Sequence, residues 1–309
     1  MENFATVAAQ VAVLFVLVAA GVACRFARLV DEASAKGIVN VLLYVVTPCL
    51  IVNVFQREFD RAMLAQLGVA FLVSALAHAA VIGVALALAR GGRDALPVTR
   101  LAMVFSNAGF MGIPLEEAVF GPKGVFFGIT YVATFNLFMW SWGLRTMRGG
   151  GWNARSLLPM FVNPGTVGLA IGLPLFLGSA VLPPVVGRPV EMMASLNTPL
   201  AMVVIGYYLA GARLGAVARF RPAYVAAFVR LVAYPLALTA ALWPFRGIVD
   251  RTMALSVITG ASAPVAAMVT MFAAKYNRDV DLSVGLVSAT TLLSAFTMPA
   301  VIAVAMSVI

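Results

Sequence analysis

The chain has 309 residues, of which 62% are hydrophobic and 11% charged. A soluble domain covers itself with about a quarter charged residues. This composition excludes an ordinary soluble fold and leaves much of the surface facing lipid. The formal net charge of +9 does not point to nucleic acid. The basic residues sit in short clusters between long apolar runs, as loops beside membrane spans do.

Apolar runs of roughly 17 to 25 residues, the length a bilayer core requires, fall at about 4–24, 37–56, 62–89, 98–120, 124–144, 164–182, 191–211, 222–244, 252–274 and 282–307. The first reads as a span and not as a cleaved signal, because Met1 to Ala23 has no basic n-region and no A-x-A-like site before Arg25. Cys24 and Cys49 lie in or beside apolar runs without metal-ligand spacing and read as small packing residues. The runs are too long and continuous for barrel strands, and backbone inside lipid must satisfy itself. The expected class is therefore an all-α membrane protein with ten transmembrane helices.

Basic residues orient the chain. Arg57, Arg61, Lys123, Arg188, Arg246 and Arg251 fall in loops after the even-numbered spans 2 to 8. A much larger set follows the odd-numbered spans: Arg25, Arg28, Lys36, Arg90, Arg93, Arg100, Arg145, Arg148, Arg155, Arg213, Arg219, Arg221, Lys275 and Arg278. The second set belongs in the cytoplasm, which puts both termini outside, in the periplasm of a bacterial inner membrane.

The two halves repeat. Thr47-Pro48 in span 2 and Thr198-Pro199 in span 7 stand 151 residues apart; Pro114 in span 4 and Pro264 in span 9 stand 150 apart. Five spans per half is an odd number, so residues 149–309 form an inverted copy of residues 1–148, joined in the loop from Arg145 to Asn163. Inverted repeats with interrupted helices in matching places point to a transporter with its site near the midplane.

Span 4 reads Phe105-Ser106-Asn107-Ala108-Gly109-Phe110-Met111-Gly112-Ile113-Pro114. Its glycines and proline are poor helix-interior residues, and Ser106 and Asn107 add polar side chains there. Span 9, Thr259-Gly260-Ala261-Ser262-Ala263-Pro264, has the same ingredients. Both helices are expected to break, Pro114 and Pro264 marking the breaks. Freed amides at such breaks favour an anion and freed carbonyls a cation.

Other intramembrane polar groups complete the candidate site. Asn107 can bind a carboxylate or help ligate a cation; an internal helix cap is its other reading. Ser106 and Ser262 adjoin the breaks. Thr134 and Asn136 in span 5 can face the crossing or serve packing between helices. Asn53 and Asn197 flank the repeated prolines and can line the pathway or satisfy freed carbonyls. Arg230 lies nine residues beyond Arg221, roughly 13 Å along a helix and so near the middle of the bilayer. Its candidate partners are a substrate carboxylate, helix-end carbonyls, Glu116 or Glu117; snorkelling is the alternative. His78, the sole histidine, can titrate in a proton-coupled cycle or bond a neighbouring helix while neutral. Glu116 and Glu117 follow the break near the outward end of span 4, where at least one reads as a solvated helix end and Glu117 as a contact to the cavity.

The Ser106 to Leu115 stretch, followed by Phe120-Gly121, resembles the fourth span of the auxin efflux carrier family, which includes plant auxin carriers and bacterial malonate or malate carriers. Asn163-Pro164, Thr198-Pro199-Leu200-Ala201-Met202, Gly206-Tyr207, Ala263-Pro264 and the stretch from Ser294 to Pro299 are similar to the family too, so the resemblance runs along nearly the whole chain. It implies an architecture like that of bile acid sodium symporters. A scaffold of spans 1, 2, 6 and 7 would carry a transport domain of spans 3–5 and 8–10 that moves like an elevator. It also implies a secondary transporter of small organic anions, with a mono- or dicarboxylate favoured over auxin, and a possible homodimer through the scaffold. The short loop between spans 5 and 6 departs from the plant members.

No cofactor is indicated; H+ and Na+ are the possible coupling ions. Sodium would have to sit near Ser106, Asn107 and Thr134, because the stretch from Gly260 to Met268 has no acidic residue. A sodium-coupled bile-acid-type symporter and a membrane ligand sensor are the alternatives. An intramembrane enzyme is not expected, since there is no Gly-x-Gly-Asp or His-Glu-x-x-His motif and no pair of intramembrane aspartates.

Overall fold

The computed structural model describes residues 2–149, 163–211 and 215–309. Arg155, Arg213 and most of the loop in which the sequence places the join between halves lie outside the described residues. The regular structure is helical, with one isolated antiparallel bridge between Ser106 and Val265. In chain order the helices are α1 (Glu2–Phe26), α2 (Glu32–Phe55), α3 (Arg61–Leu88), α4 (Ala95–Val104), α5 (Ala108–Arg148), α6 (Pro164–Leu177), α7 (Pro184–Leu209), α8 (Arg221–Phe245), α9 (Arg251–Ser262), α10 (Ala267–Lys275) and α11 (Val280–Val308). A single turn, Gly215–Ala218, lies between α7 and α8.

Seven of these helices, α1, α2, α3, α5, α7, α8 and α11, are long and apolar enough to cross a membrane, while α4 and α6 are apolar but shorter. The 41 residues of α5 would stretch about 60 Å as one rod, twice the thickness of a hydrocarbon core. They do not form one rod. Gly121 takes φ 65°, which glycine alone adopts without strain, and Pro122 follows it. Beyond this bend the chain doubles back. The β-position of Gly124 stands 2.9 Å from the carbonyl oxygen of Glu116, and that of Gly128 falls on the Glu116 carboxylate. Residues twelve apart in sequence cannot touch in a straight helix, so α5 is a hairpin whose two arms pack through glycines.

Three prolines follow widened turns inside helices instead of ending them. The wide turns Leu42–Val46, Ala108–Gly112 and Val229–Ala233 are π-helical, and Pro48, Pro114 and Pro235 enter the next helical segment immediately after them. A π-turn spaces out the hydrogen-bond ladder where proline removes a donor and crowds the preceding turn. Thr47 assists by donating its hydroxyl to Leu42 O at 2.8 Å. Pro114 therefore does not mark a break; the chain leaves the helix earlier, at Phe105–Asn107. Pro264 lies in a break, as the sequence suggests.

Side chains cap several helices. Asp31, Asp60, Asn163, Asp250 and Asp279 accept from backbone amides in the first turns of α2, α3, α6, α9 and α11, and these caps satisfy donors the helices cannot. Asp250 also pairs with Lys123 beside the hairpin bend at 2.7 Å. Partial burial pushes its pKa up, but the Lys123 ammonium and the Met253 amide outweigh this and leave it below the ordinary carboxylate range. Near the opposite ends, Arg278 donates to Asp94 Oδ1 at 3.1 Å and to Met147 O at 2.7 Å.

Buried apolar side chains form two clusters. The larger joins α3, α4, α5, α8, α9, α10 and α11, with Leu50, Ile51, Val54 and Phe55 from α2, Phe176 from α6 and Ala194 from α7. The smaller joins α1, α7, the first half of α2 and the end of α11, and takes Met111, Leu115 and Ala263 from beside the two breaks. Helices α1 and α7 approach until backbone meets backbone. A β-carbon on Gly21 would collide with Val203 O, and one on Gly206 with Val18 O. Gly206→Leu should lower stability by at least about 2 kcal/mol, since a backbone wall yields less than a side chain. Gly83→Leu, where nothing lies within 4 Å, should leave the unfolding temperature in detergent unchanged or slightly raised.

Candidate functional site

Two helical lines stop and restart against each other. Helix α4 ends at Val104 and α5 begins at Ala108; α9 ends at Ser262 and α10 begins at Ala267. The chain leaves each helix in extended conformation, with Phe105 at φ −100°, ψ 111° and Ala263 at φ −63°, ψ 151°. Broken backbone inside a membrane must find partners, and here each break serves the other. The Asn107 amide donates to Pro264 O at 2.6 Å, and the Ala266 amide donates to Phe105 O at 2.9 Å. Ser106 Oγ donates to Gly260 O at 2.7 Å. Thr290 of α11 accepts from the Val265 amide at 3.1 Å, which anchors the second break to a third helix.

Arg230 closes the same junction. It is completely buried. Its Nη1 donates to Val104 O at 2.8 Å and more weakly to Met103 O at 3.4 Å, and its Nη2 donates to Ala261 O. The Tyr234 ring lies 4.7 Å from the guanidinium. A helix C-terminus carries roughly half a negative charge, so two such ends together balance about one cation. Of the partners the sequence allows Arg230, the helix-end carbonyls are the ones it meets. The C-terminal ends at the crossing are thereby filled.

The N-terminal ends are not. Helices α5 and α10 start without a side-chain cap, as α4, α7 and α8 also do, but here the uncapped ends lie at the crossing. Asn107 occupies the cap position of α5, yet its side chain bonds no backbone amide there. It is 8% exposed. Its main chain is held on both sides, its N–H by Pro264 and its carbonyl by the Met111 amide at 2.9 Å. The internal-cap reading of Asn107 does not describe this geometry.

The remaining candidates scatter. Ser262 turns back to Thr259 O at 2.8 Å. Thr134 is buried, donates to Tyr131 O at 3.0 Å and lies 3.4 Å from His78 Nδ1. His78 Nδ1 lies 2.8 Å from Ser74 O, and its ring stacks on Phe138. Thr134 thus pairs with His78, and no contact brings it to Ser106 or Asn107. Asn136 donates to Val132 O at 3.0 Å and lies beside Gly165 at the start of α6, 3.8 Å from that residue's β-position. Asn53 is half-buried in α2 and engages the Gln56 amide through its carbonyl. Asn197 is buried where α7 turns at Leu196, with no partner for its Nδ2. Among the described residues no cluster of His, Cys, Asp and Glu fits a metal ion.

Two contributors, Thr290 and Tyr131, escape a reading of the sequence, and a third, Glu116, is named by it without its burial. Thr290 supports the second break, although only its place midway along an apolar helix sets it apart. Tyr131 packs its ring 3.0 Å from the β-position of Gly260 and puts its hydroxyl 3.3 Å from that of Tyr234. Glu116 is the buried member of the acidic pair; Glu117 is exposed and receives a 3.4 Å hydrogen bond from Thr198. The spacing of Gly112, Glu116, Gly124 and Gly128 is the one signal that bore on Glu116.

Replacing Arg230 leaves buried carbonyls on two helices without a donor. Arg230→Met should lower stability by roughly 3 kcal/mol, the range for breaking a buried charged contact. Arg230→Lys should restore only part of this, because an ammonium lacks the fork that reaches both helix ends. Unfolding in detergent, followed by tryptophan fluorescence, measures both.

A profile of the membrane transport protein family matches residues 6–157 and 152–302. No curated protein matches the chain. Together with its seven long apolar helices, the match makes this a multi-pass membrane protein, and the chain belongs to the auxin efflux carrier family of membrane transport proteins.

Proposed function

We propose that the protein is a secondary carrier that moves small organic anions, mono- or dicarboxylates, between the two sides of the membrane. The observation that carries this reading is Asn107. Its amide has no cap bond, stands between two uncapped helix N-termini, and has its backbone fixed by both breaks. Helix N-termini and an amide donor together suit a carboxylate. Arg230 is already engaged by carbonyls, so the anion would be held by neutral dipoles and could leave again on the other side.

On this reading the helical lines amount to ten spans in two inverted sets of five. Helix α4 with the first arm of α5 makes the fourth span, the second arm makes the fifth, and α9 with α10 makes the ninth. The smaller apolar cluster would be the core of a scaffold built on α1, α2 and α7, and the larger one the core of a transport domain that slides past it. The distribution of Lys and Arg supports a cytoplasmic face at the odd-numbered loops, both termini outside, and a bacterial inner membrane as the setting.

Counterflow in liposomes tests the proposal and separates a carrier from a ligand sensor. Protein loaded with unlabelled malonate, malate or indole-3-acetate should accumulate the labelled anion. Asn107→Ala should reduce the rate at least about tenfold, the loss of one hydrogen bond to a charged group. Its unfolding temperature should change little, because the side chain caps no helix. Wild-type rates in the variant would refute the assignment of the site.

A further inference from the structure

The acidic residue that the anion site does not use sits beside it. Glu116 is 1% exposed, lies in the first arm of α5, and its Oε2 has no hydrogen-bond partner. The second arm makes room for it. A β-carbon at Gly128 would stand on the carboxylate itself, and Gly112 leaves Oε1 3.7 Å from its own β-position. That Gly112 position is in turn 3.4 Å from the Cα of Gly260, whose carbonyl holds Ser106. The carboxyl group therefore lies one helical turn beyond Gly112, and Gly112 and Gly260 link it to the Ser106 end of the crossing.

Among the described residues no cation forms an ion pair with this carboxyl group; Arg145 and Arg148 lie at the far end of α5, beside the Met147–Arg278 contact. On its own helix, Lys123 pairs with Asp250, Glu117 with Thr198, and Tyr131 lies against Tyr234. On α2, Lys36 pairs with Glu32, Tyr44 is exposed, and Arg57 just beyond its end donates to Val54 O and Pro122 O. On α3, Arg61 is exposed and His78 faces Ser74 and Thr134. On α1, Arg25 binds Tyr207 O of α7, and Arg188 and Glu191 of α7 are not drawn to it. Arg230 of α8 holds the helix ends, and Arg251 of α9 donates to Met306 O. Helix α6 carries no titratable residue. A buried ionised carboxylate without a cation or donor is far costlier than a neutral acid.

We propose that Glu116 is the proton-carrying group of the transport cycle. It holds a proton in the closed packing seen here and releases it when movement at the Gly112–Gly128 contact admits water. One proton then crosses with one carboxylate, so a monoanion moves without net charge. The inference rests on the carrier reading above for its transport half only.

Two measurements test it. The first needs no substrate: purified protein in lipid is treated with dicyclohexylcarbodiimide, which adds to protonated carboxyls in apolar surroundings, and peptides are mapped by mass spectrometry. Glu116 should be modified at neutral pH and progressively less as the pH rises, while exposed Glu117 and Glu191 stay unmodified. A Glu116 that resists the reagent from mildly acidic to alkaline pH overturns the proposal. The second compares malonate uptake driven by a pH gradient with malonate exchange at equal pH. In Glu116→Gln the ratio of driven uptake to exchange should fall at least tenfold, with exchange still measurable as the sign of a folded carrier. A ratio equal to wild type in that variant, or in Glu116→Leu, overturns the proposal. If wild-type protein moves no carboxylate under any gradient, the carrier reading fails, and the carbodiimide result alone decides whether Glu116 holds a proton.

Discussion

Backbone polar groups in a hydrocarbon setting must be satisfied within the protein, and the crossing of α4–α5 with α9–α10 obeys that constraint at the point where it is hardest to meet. Two helices open at one depth. The amides and carbonyls they release pair across the Ser106–Val265 bridge, so neither break is stable without the other. Everything near the junction follows from this mutual dependence. Thr290 supplies an acceptor for Val265, Tyr131 packs on Gly260, and Arg230 draws together the carbonyl ends of α4 and α9.

The same arrangement sorts charge. C-terminal ends meet a buried guanidinium and N-terminal ends meet no capping side chain. Asp and Asn side chains cap α2, α3, α6, α9 and α11, while α4, α5, α7, α8 and α10 begin without one, and of these α5 and α10 begin at the crossing. The glycines are distributed to match. Gly21 and Gly206 lock α1 to α7 by backbone contact, whereas Gly112 and Gly128 leave space around a carboxyl group inside the α5 hairpin. One seam is rigid because it has no side chains to rearrange; the other encloses a group whose charge can change.

Much of this was legible in the sequence, and the exceptions have physical causes. Length and hydropathy located the apolar segments, and Ala263-Pro264 located the second break. The proline offset misdirected the reading of span 4: Pro114 follows a π-turn and continues a helix, while the break at Phe105–Asn107 contains no proline. A π-turn has no residue signature of its own, so sequence cannot tell a proline that breaks from one that bends. The α5 hairpin depended on Gly121-Pro122, which an apolar-run count registered only as a short gap. Which of Glu116 and Glu117 is buried turned on the way the two arms face each other, a tertiary fact. Thr134 and Asn136 share span 5 with groups near the crossing, but they point to His78 and to the start of α6, and helical spacing alone does not fix that direction.

The account stands most directly on Asn107 being an accessible, ligand-contacting amide between the two breaks. With Cys24 and Cys49 replaced by serine, the Asn107→Cys variant can be labelled with a membrane-impermeant thiol reagent in proteoliposomes, with and without malonate. The account predicts labelling that a transported carboxylate slows in proportion to its occupancy. Labelling that every carboxylate leaves unchanged, or a thiol at position 107 that no reagent reaches from either side, would contradict it.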